Sequence, residues 1–270
     1  MDLYKLSVIK EICDKFGFSF SKNFGQNFLT DRNILEKIVE VSEVDKDYGV
    51  IEIGPGFGVL TKFLLEKAGK VVSIEIDTRL KDLLKESLGE FTNIEVVFQD
   101  FLTVDLKKIV EELKQTYSKV CIIANLPYYI TSDILEHIIC SQASLSSIHA
   151  MVQKEVALKL TDTQYHSPLT FMIESIGTIS LDMHVSRNVF SPAPRVDSAI
   201  IAIHIHKEYN ILLTHLLKQA FTQKRKTIYN NLKVIFGTNT KYILEQCQIK
   251  ENKRPEELKI EDYLKLTKYL

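Results

Sequence analysis

Three short stretches carry residue types that packing alone does not require. "EIGPGFG" (52–58) places Gly54, Gly56 and Gly58 around Pro55, between a strand-like apolar run and a helix-periodic one. Glycines at such a junction let the backbone approach a ligand, at the carboxyl edge where open α/β sheets take small molecules. The spacing is G-x-G-x-G. The dinucleotide fingerprint has its third glycine one position later, which weighs against a nicotinamide cofactor. Glu75 closes the run "VVSIE" about 20 residues past the first glycine, where a carboxylate takes ribose hydroxyls. Asp100, ending "VVFQD", sits at the next strand tip and is placed to accept from an adenine amino group. Either acid alone could cap the helix that follows it. Two at successive tips beside a glycine loop outline one adenosine-shaped crevice.

The third stretch is "IANLPYYI" (123–130). A buried-strand pattern, Val120 to Ile123, stops at Asn125, Leu126, Pro127 and Tyr128. Asn is depleted in strands and Pro cannot donate a backbone hydrogen bond, so the strand ends there. The Asn125 side-chain oxygen and the Leu126 carbonyl can both accept from an exocyclic amine. Pro127 stiffens the backbone that presents them. Tyr128 offers a flat face for a base, a stacking interaction of about 1–3 kcal/mol. The group reads as a clamp for a planar amine such as N6 of adenine. Taken alone, it is also compatible with a strand-end turn and core tyrosines.

These stretches need a frame. Strand patterns at 49–54, 70–77, 93–100, 119–125 and 147–153 alternate with helical ones, which predicts a parallel sheet covered on both faces. Thr30 or Asp31 is a candidate N-cap for a helix running to Val41, and Thr131 or Ser132 for the helix after the clamp. "VDSAIIAIHIHK" (196–207) alternates like an exposed or edge strand, and everything after it reads as helix. A boundary near 207–210 divides a domain of residues 1–207 from a small all-helical one of 208–270.

Charge changes at the same place. The 270 residues carry a net charge of −1. From Lys207 onward 13 Lys and Arg face 7 Asp and Glu, a net +6, which leaves −7 on the body. The densest basic cluster is "KQAFTQKRKTIYNNLK" (218–233), which predicts one helical segment with Lys218, Lys224, Arg225, Lys226 and Lys233 on or beside it. Asn230 and Asn231 are further candidates for sugar or phosphate contact. Charge runs are usually solvated faces, and on charge alone that reading is favoured; the asymmetry at the boundary permits an anionic partner. No run spans a bilayer, and the N-terminus lacks the apolar region of a signal peptide. Cys13, Cys121, Cys140 and Cys247 are widely spaced, with no CxxC, and read as free thiols in a reducing compartment.

"EIGPGFGVLT", "SIEID" and "NLPYYI", in this order, resemble a Rossmann-type S-adenosylmethionine-dependent methyltransferase. "SKNFGQNFL" (21–29), "MVQKEVA" (151–157), "FSPAPRVDSAI" (190–200) and "AFTQKRKTIYNNL" (220–232) narrow the resemblance to the KsgA-type ribosomal RNA adenine dimethyltransferases. It spans nearly the whole chain. It implies an α/β class I methyltransferase sheet with a small helical domain. The implied activity is dimethylation at N6 of two adjacent adenines near the 3′ end of small-subunit rRNA. The substrate would be a partly assembled small subunit, in the cytoplasm, with the enzyme a monomer needing no metal. By motif match the resemblance puts S-adenosylmethionine on Asn27, Leu29, Gly54, Gly56, Glu75, Ile76, Asp100, Phe101 and Asn125. It puts Phe190 on the flipped adenine, opposite Tyr128. The chain departs from the family pattern in "LKLTDTQYHSPLTF" (158–171) and at Tyr129, where Asn is common. Two relatives are the alternatives: a large-subunit rRNA adenine methyltransferase of the macrolide-resistance type, and a non-catalytic nucleic-acid-binding protein. Intact Glu75, Asp100 and Asn125 argue against the latter.

Overall fold

The computed structural model describes residues 2–18 and 27–270, so residues 21–26 of "SKNFGQNFL" lie outside the described part. In chain order the strands are β1 (Phe28–Leu29), β2 (Tyr48–Ile53), β3 (Lys70–Glu75), β4 (Ile94–Phe98), β5 (Lys119–Asn125), β6 (Ser147–Gln153), β7 (Gly177–Val185), β8 (Phe190–Ser191) and β9 (Ser198–Ile205). Seven of them form one sheet in the order β4-β3-β2-β5-β6-β9-β7. The first five are parallel; β9 pairs antiparallel with β6, and β7 pairs antiparallel with β9. β1 and β8 make a separate antiparallel ribbon, with Leu29 opposite Phe190.

Both faces of the sheet are covered, which is why its central strands read as unbroken apolar runs. Val120, Ile122 and Ala124 of β5 pack toward α5 (Leu106–Lys114) and α6 (Thr131–Cys140). Cys121 and Ile123 pack toward α1 (Leu6–Phe16), α2 (Arg32–Val41), α3 (Val59–Lys67) and α4 (Lys81–Leu88). Asp31 caps α2 by accepting from the Asn33 and Ile34 amides, one of the two expected possibilities. Neither expected cap acts on α6. That helix is entered through a 3-10 turn at Tyr128–Ile130, and the Thr131 hydroxyl instead donates to the Pro127 carbonyl at 3.1 Å.

The 196–207 pattern is not an edge strand. β9 lies between β6 and β7, and its alternation separates two buried faces. The edge is β7, reached from β6 through α7 (Lys154–Thr161) and α8 (Pro168–Ile176), and its side chains alternate half-buried and exposed.

The tail is helical: α9 (Ile211–Ala220), α10 (Ile228–Phe236), α11 (Thr240–Gln246) and α12 (Ile260–Leu266). Leu213, Leu216 and Leu217 of α9 join the same apolar core as Ile134, Ile138 and Phe171. The basic cluster is not on one helix. α9 stops at Ala220, and Lys224, Arg225 and Lys226 occupy the exposed loop before α10. Asn231 is the cause. Its buried amide donates to the carbonyls of Gln223, Lys226 and Thr227 and accepts the Gln223 amide at 3.1 Å. A side chain so engaged shapes the loop and is not presented to RNA. Lys218 is engaged too, in a 2.5 Å ion pair with Glu136 of α6.

Cys13, Cys121, Cys140 and Cys247 are all free thiols. Burial pushes Cys121 up to about 12. Among the described residues no helix is long and apolar enough to cross a membrane.

Candidate active site at the carboxyl edge of the sheet

The carboxyl ends of β2, β3, β4 and β5, closed by β1, surround a cavity of about 140 Å³. The glycine loop forms one wall. Gly54, Gly56 and Gly58 have φ of 69°, 57° and 79°, the left-handed region that glycine enters without a Cβ penalty. A Cβ on Gly54 would meet nothing within 4 Å, so bare backbone borders the cavity there. A Cβ on Gly56 would lie 2.6 Å from the Phe28 ring, so that position has no room for a side chain. All three glycine amides are already engaged, with the Ile74 carbonyl, the Glu75 carboxylate and the Pro55 carbonyl. Those amides are therefore not available as a phosphate cradle. That agrees with the spacing argument against a dinucleotide.

Glu75 ends β3 almost fully buried. Its carboxylate accepts from the Gly56 amide at 3.1 Å and the Asp77 amide at 2.8 Å. Burial raises its pKa, and these two amides oppose the rise. Each oxygen keeps a lone pair for a ribose hydroxyl, because a carboxylate offers about four acceptor sites. Asp100 is exposed at the next tip. One of its oxygens caps the turn Phe101–Thr103 through the Leu102 amide, so the N-cap and ligand readings are compatible. Ile76, 47 % exposed, and Phe101 supply apolar walls between the two acids.

Opposite stands the clamp. The Asn125 Nδ2 donates to the Asn27 carbonyl at 3.1 Å, which fixes the amide plane and leaves Oδ1 as the acceptor. The Leu126 amide donates to the Met151 carbonyl, anchoring the backbone at the tip of β5. Pro127 continues it in extended conformation. The Tyr128 hydroxyl shares a 2.5 Å hydrogen bond with the Ser198 hydroxyl of β9, so the ring is held at both ends. Asn27, Leu29, Gly54, Gly56 and Glu75 line one cavity with Ile76, Asp100, Phe101 and the 125–128 segment. These are the cofactor and adenine contacts singled out from sequence, with one exception. Phe190 is 5 % exposed, does not line the cavity, and packs inward against Leu29 in the β1–β8 ribbon. Pairing in that ribbon turns the ring toward the core.

Sequence reasoning missed Glu52. It lies in β2, 1 % exposed, and reaches the cavity wall. One carboxylate oxygen accepts from the Thr61 hydroxyl at 2.6 Å and the Ser73 hydroxyl at 2.8 Å. Burial dominates these bonds and pushes its pKa up to about 7. The signal was a charged residue inside the apolar run "GVIEIG". Tyr129, 59 % exposed, lines the mouth.

The donor set fits an adenosine-bearing cofactor without phosphates: a carboxylate for the ribose, a carboxylate and apolar walls for the base, and a side-chain-free cradle at Gly54. Residues 17–270 match the family model described as ribosomal RNA adenine dimethylase. The chain is 41 % identical over 281 residues to the ribosomal RNA small subunit methyltransferase A of Streptococcus equi subsp. zooepidemicus, covering 98 % of this chain and 97 % of that protein. It is 42 % identical over 265 residues to the protein of the same name from Streptococcus gordonii, covering 93 % and 91 %. Among solved structures, a dimethyladenosine transferase from Plasmodium falciparum superposes with a TM-score of 0.72 at 27 % identity, over 88 % of this chain and 95 % of that one. The 23S rRNA methyltransferase ErmE superposes with a TM-score of 0.65 at 29 % identity, over 90 % and 99 %. Sequence match and shared architecture agree: the chain belongs to the ribosomal RNA adenine dimethylase family.

Proposed function

We propose that this protein transfers methyl groups from S-adenosylmethionine to N6 of two adjacent adenines near the 3′ end of small-subunit rRNA, within a partly assembled subunit in the cytoplasm. The observation that carries the reading is the fixed Asn125 amide, its Oδ1 beside the Leu126 carbonyl on the wall facing the glycine loop. When bound, S-adenosylmethionine supplies an electrophilic methyl group. Glu75 takes its ribose hydroxyls, and Asp100 with Ile76 and Phe101 takes its adenine. Asn27, Leu29 and the bare backbone at Gly54 and Gly56 hold the remainder.

The N6 lone pair of adenine is delocalised into the ring and is a poor nucleophile. Two acceptors on its hydrogens, Asn125 Oδ1 and the Leu126 carbonyl, favour a pyramidal nitrogen aimed at the methyl. Transfer would then be in-line displacement, the nitrogen–methyl bond forming as the sulfur–methyl bond breaks and the neutral thioether leaves, and the chain's own residues would aid it mainly by positioning. The cationic product loses a proton readily, so no strong base is required of the chain. The target base leaves its stack at a cost of a few kcal/mol, and the Tyr128 face receives it. Phe190 would have to turn out of the ribbon to take the other face. Lys224, Arg225 and Lys226, on the 208–270 domain, bind the rRNA backbone.

Methyl transfer from labelled cofactor to small-subunit particles and to large-subunit RNA, with the modified nucleosides identified, tests the reading. Label in dimethyladenosine of the small-subunit rRNA is the expected result. Label confined to large-subunit RNA would favour the second reading, which the shared fold with ErmE makes concrete.

A further inference from the structure

We infer that a second cavity, beside the adenine clamp, holds the phosphodiester backbone of the strand that delivers the adenine. This rests on the proposed function and names a substrate contact that the clamp does not provide.

The cavity, about 480 Å³, is lined by Lys154, Glu155 and Leu158 from α7, by Arg187, and by Arg195, Val196 and Asp197. Lys154, Arg187 and Arg195 are all exposed. Among the described residues none of these three finds an ion-pair partner, in contrast to Lys159 and Lys218, which do. Of the two acids on the same wall, Glu155 pairs with Lys159 at 2.7 Å, and Asp197 accepts the Arg187 amide at 3.0 Å and keeps its charge. Arg187 is also braced, since its guanidinium donates to the Arg195 carbonyl at 3.1 Å. Three cations from three chain segments face two carboxylates, of which Glu155 is neutralised by Lys159, so the concavity stays net positive on the acidic part of the chain. An arginine fork so held suits an oxyanion with paired acceptor oxygens.

Position gives the ligand class. Asp197 precedes Ser198, whose hydroxyl holds Tyr128, and Lys154 follows Gln153, which is paired with Ser198 in the β6–β9 ladder. The turn Arg187–Val189 leads directly into Phe190 and the β1–β8 ribbon. The cations therefore stand on the same strand ends as the adenine clamp. A base flipped onto Tyr128 brings its own phosphates with it. Phosphate contacts of this kind fix register without reading bases.

The test compares three proteins for binding and methylation of small-subunit particles: wild type, the triple variant Lys154→Ala/Arg187→Ala/Arg195→Ala, and a control triple, Lys81→Ala/Lys85→Ala/Lys107→Ala, which removes equal charge from α4 and α5. The groove triple should raise KM for particles at least tenfold, as loss of one charge-assisted hydrogen bond predicts. It should flatten the slope of log affinity against log salt by about 0.7 for each phosphate no longer neutralised. S-adenosylmethionine affinity by calorimetry and the thermal midpoint should stay at wild-type values, and Arg187→Lys should recover part of the loss. If the control triple matches the groove triple, net charge is responsible and the proposal is overturned. Calorimetry with inorganic phosphate separates the other source. Phosphate binding that only wild type shows, with particle affinity equal in all three, would assign the groove to free phosphate instead. Wild-type protein that methylates no adenine refutes the proposed function rather than the groove.

Discussion

Asn125 and Glu52 show how single polar groups are held in apolar strands. Asn125 gives its donor to the Asn27 carbonyl and keeps its acceptor for the cavity, so the amide is oriented by the fold itself. Asn125→Ala should lower kcat by about 10²–10³, the usual loss for one preorganised partner of a charge-developing atom. Its thermal midpoint should move little. Activity within a few-fold of wild type in labelled-methyl transfer would remove the clamp from the mechanism. Glu52 makes a pH prediction. Its folded pKa, about 7, is above the value of 4.5 for a free carboxyl. The folded state therefore binds this proton more tightly than the unfolded one. The stability it contributes is fully present below pH 4.5 and is lost as pH rises through 7. Glu52→Gln keeps an acceptor for Thr61 and Ser73 without the buried charge. Its stability relative to wild type should rise across this window, by on the order of 2–3 kcal/mol, and level off above it. Parallel urea titrations at about pH 5, 6, 7 and 8 measure this, and parallel pH profiles for the two proteins would contradict it.

At the scale of elements, the glycine loop and the tip of β5 are the two walls of the site, and both depend on backbone more than on side chains. The loop's glycines fail for different reasons when substituted. Gly56→Ala drives a methyl to 2.6 Å from Phe28, a core ring, and adds left-handed backbone strain of roughly 1–2 kcal/mol. Gly54→Ala incurs the same strain, but its methyl enters open cavity space. Denaturant midpoints should therefore fall further for Gly56→Ala. Gly54→Ala should instead lose S-adenosylmethionine affinity out of proportion to its stability. Equal effects of the two on both readouts would mean that the cavity above Gly54 is not where the cofactor lies.

Over the whole molecule, one apolar core runs from the sheet through α6 and α8 into α9–α12, with the Lys218–Glu136 pair bridging its surface. Helices α9–α12 are thus packed onto the rest of the chain, and the basic loop between α9 and α10 is held by Asn231. Asn231→Ala removes the buried amide that ties Gln223, Lys226 and Thr227 to α10 and should destabilise the fold by about 2–3 kcal/mol. Replacing Lys224, Arg225 and Lys226 by Ala touches no such network. It should leave the thermal midpoint unchanged, weaken binding to small-subunit particles and flatten its salt dependence. S-adenosylmethionine affinity should not change. Unaltered particle binding and salt slope in this triple variant would place the RNA contact elsewhere.

The order of strands and helices, and the meeting of the glycine loop, Glu75, Asp100 and residues 125–128 around one cavity, were legible in sequence because each is a local signal. Periodicity reports a residue's own face, and a strand-to-helix junction in a parallel sheet falls at the ligand edge whatever the rest of the chain does. What sequence missed depended on burial and on partners in other elements. β9 carries an alternation that fits an edge, and only the return of β7 beside it makes it interior. The basic cluster reads as helix until Asn231, inside the next helix, binds the carbonyls of the preceding loop. Phe190 sits in a motif that implies a substrate contact, yet pairing with Leu29, 161 residues away, turns it inward. Glu52 is one acid in an apolar strand until Thr61 and Ser73 close over it. Local chemistry wrote the elements and the residue types of the site. Burial and long-range pairing decided which atoms of those residues remained available.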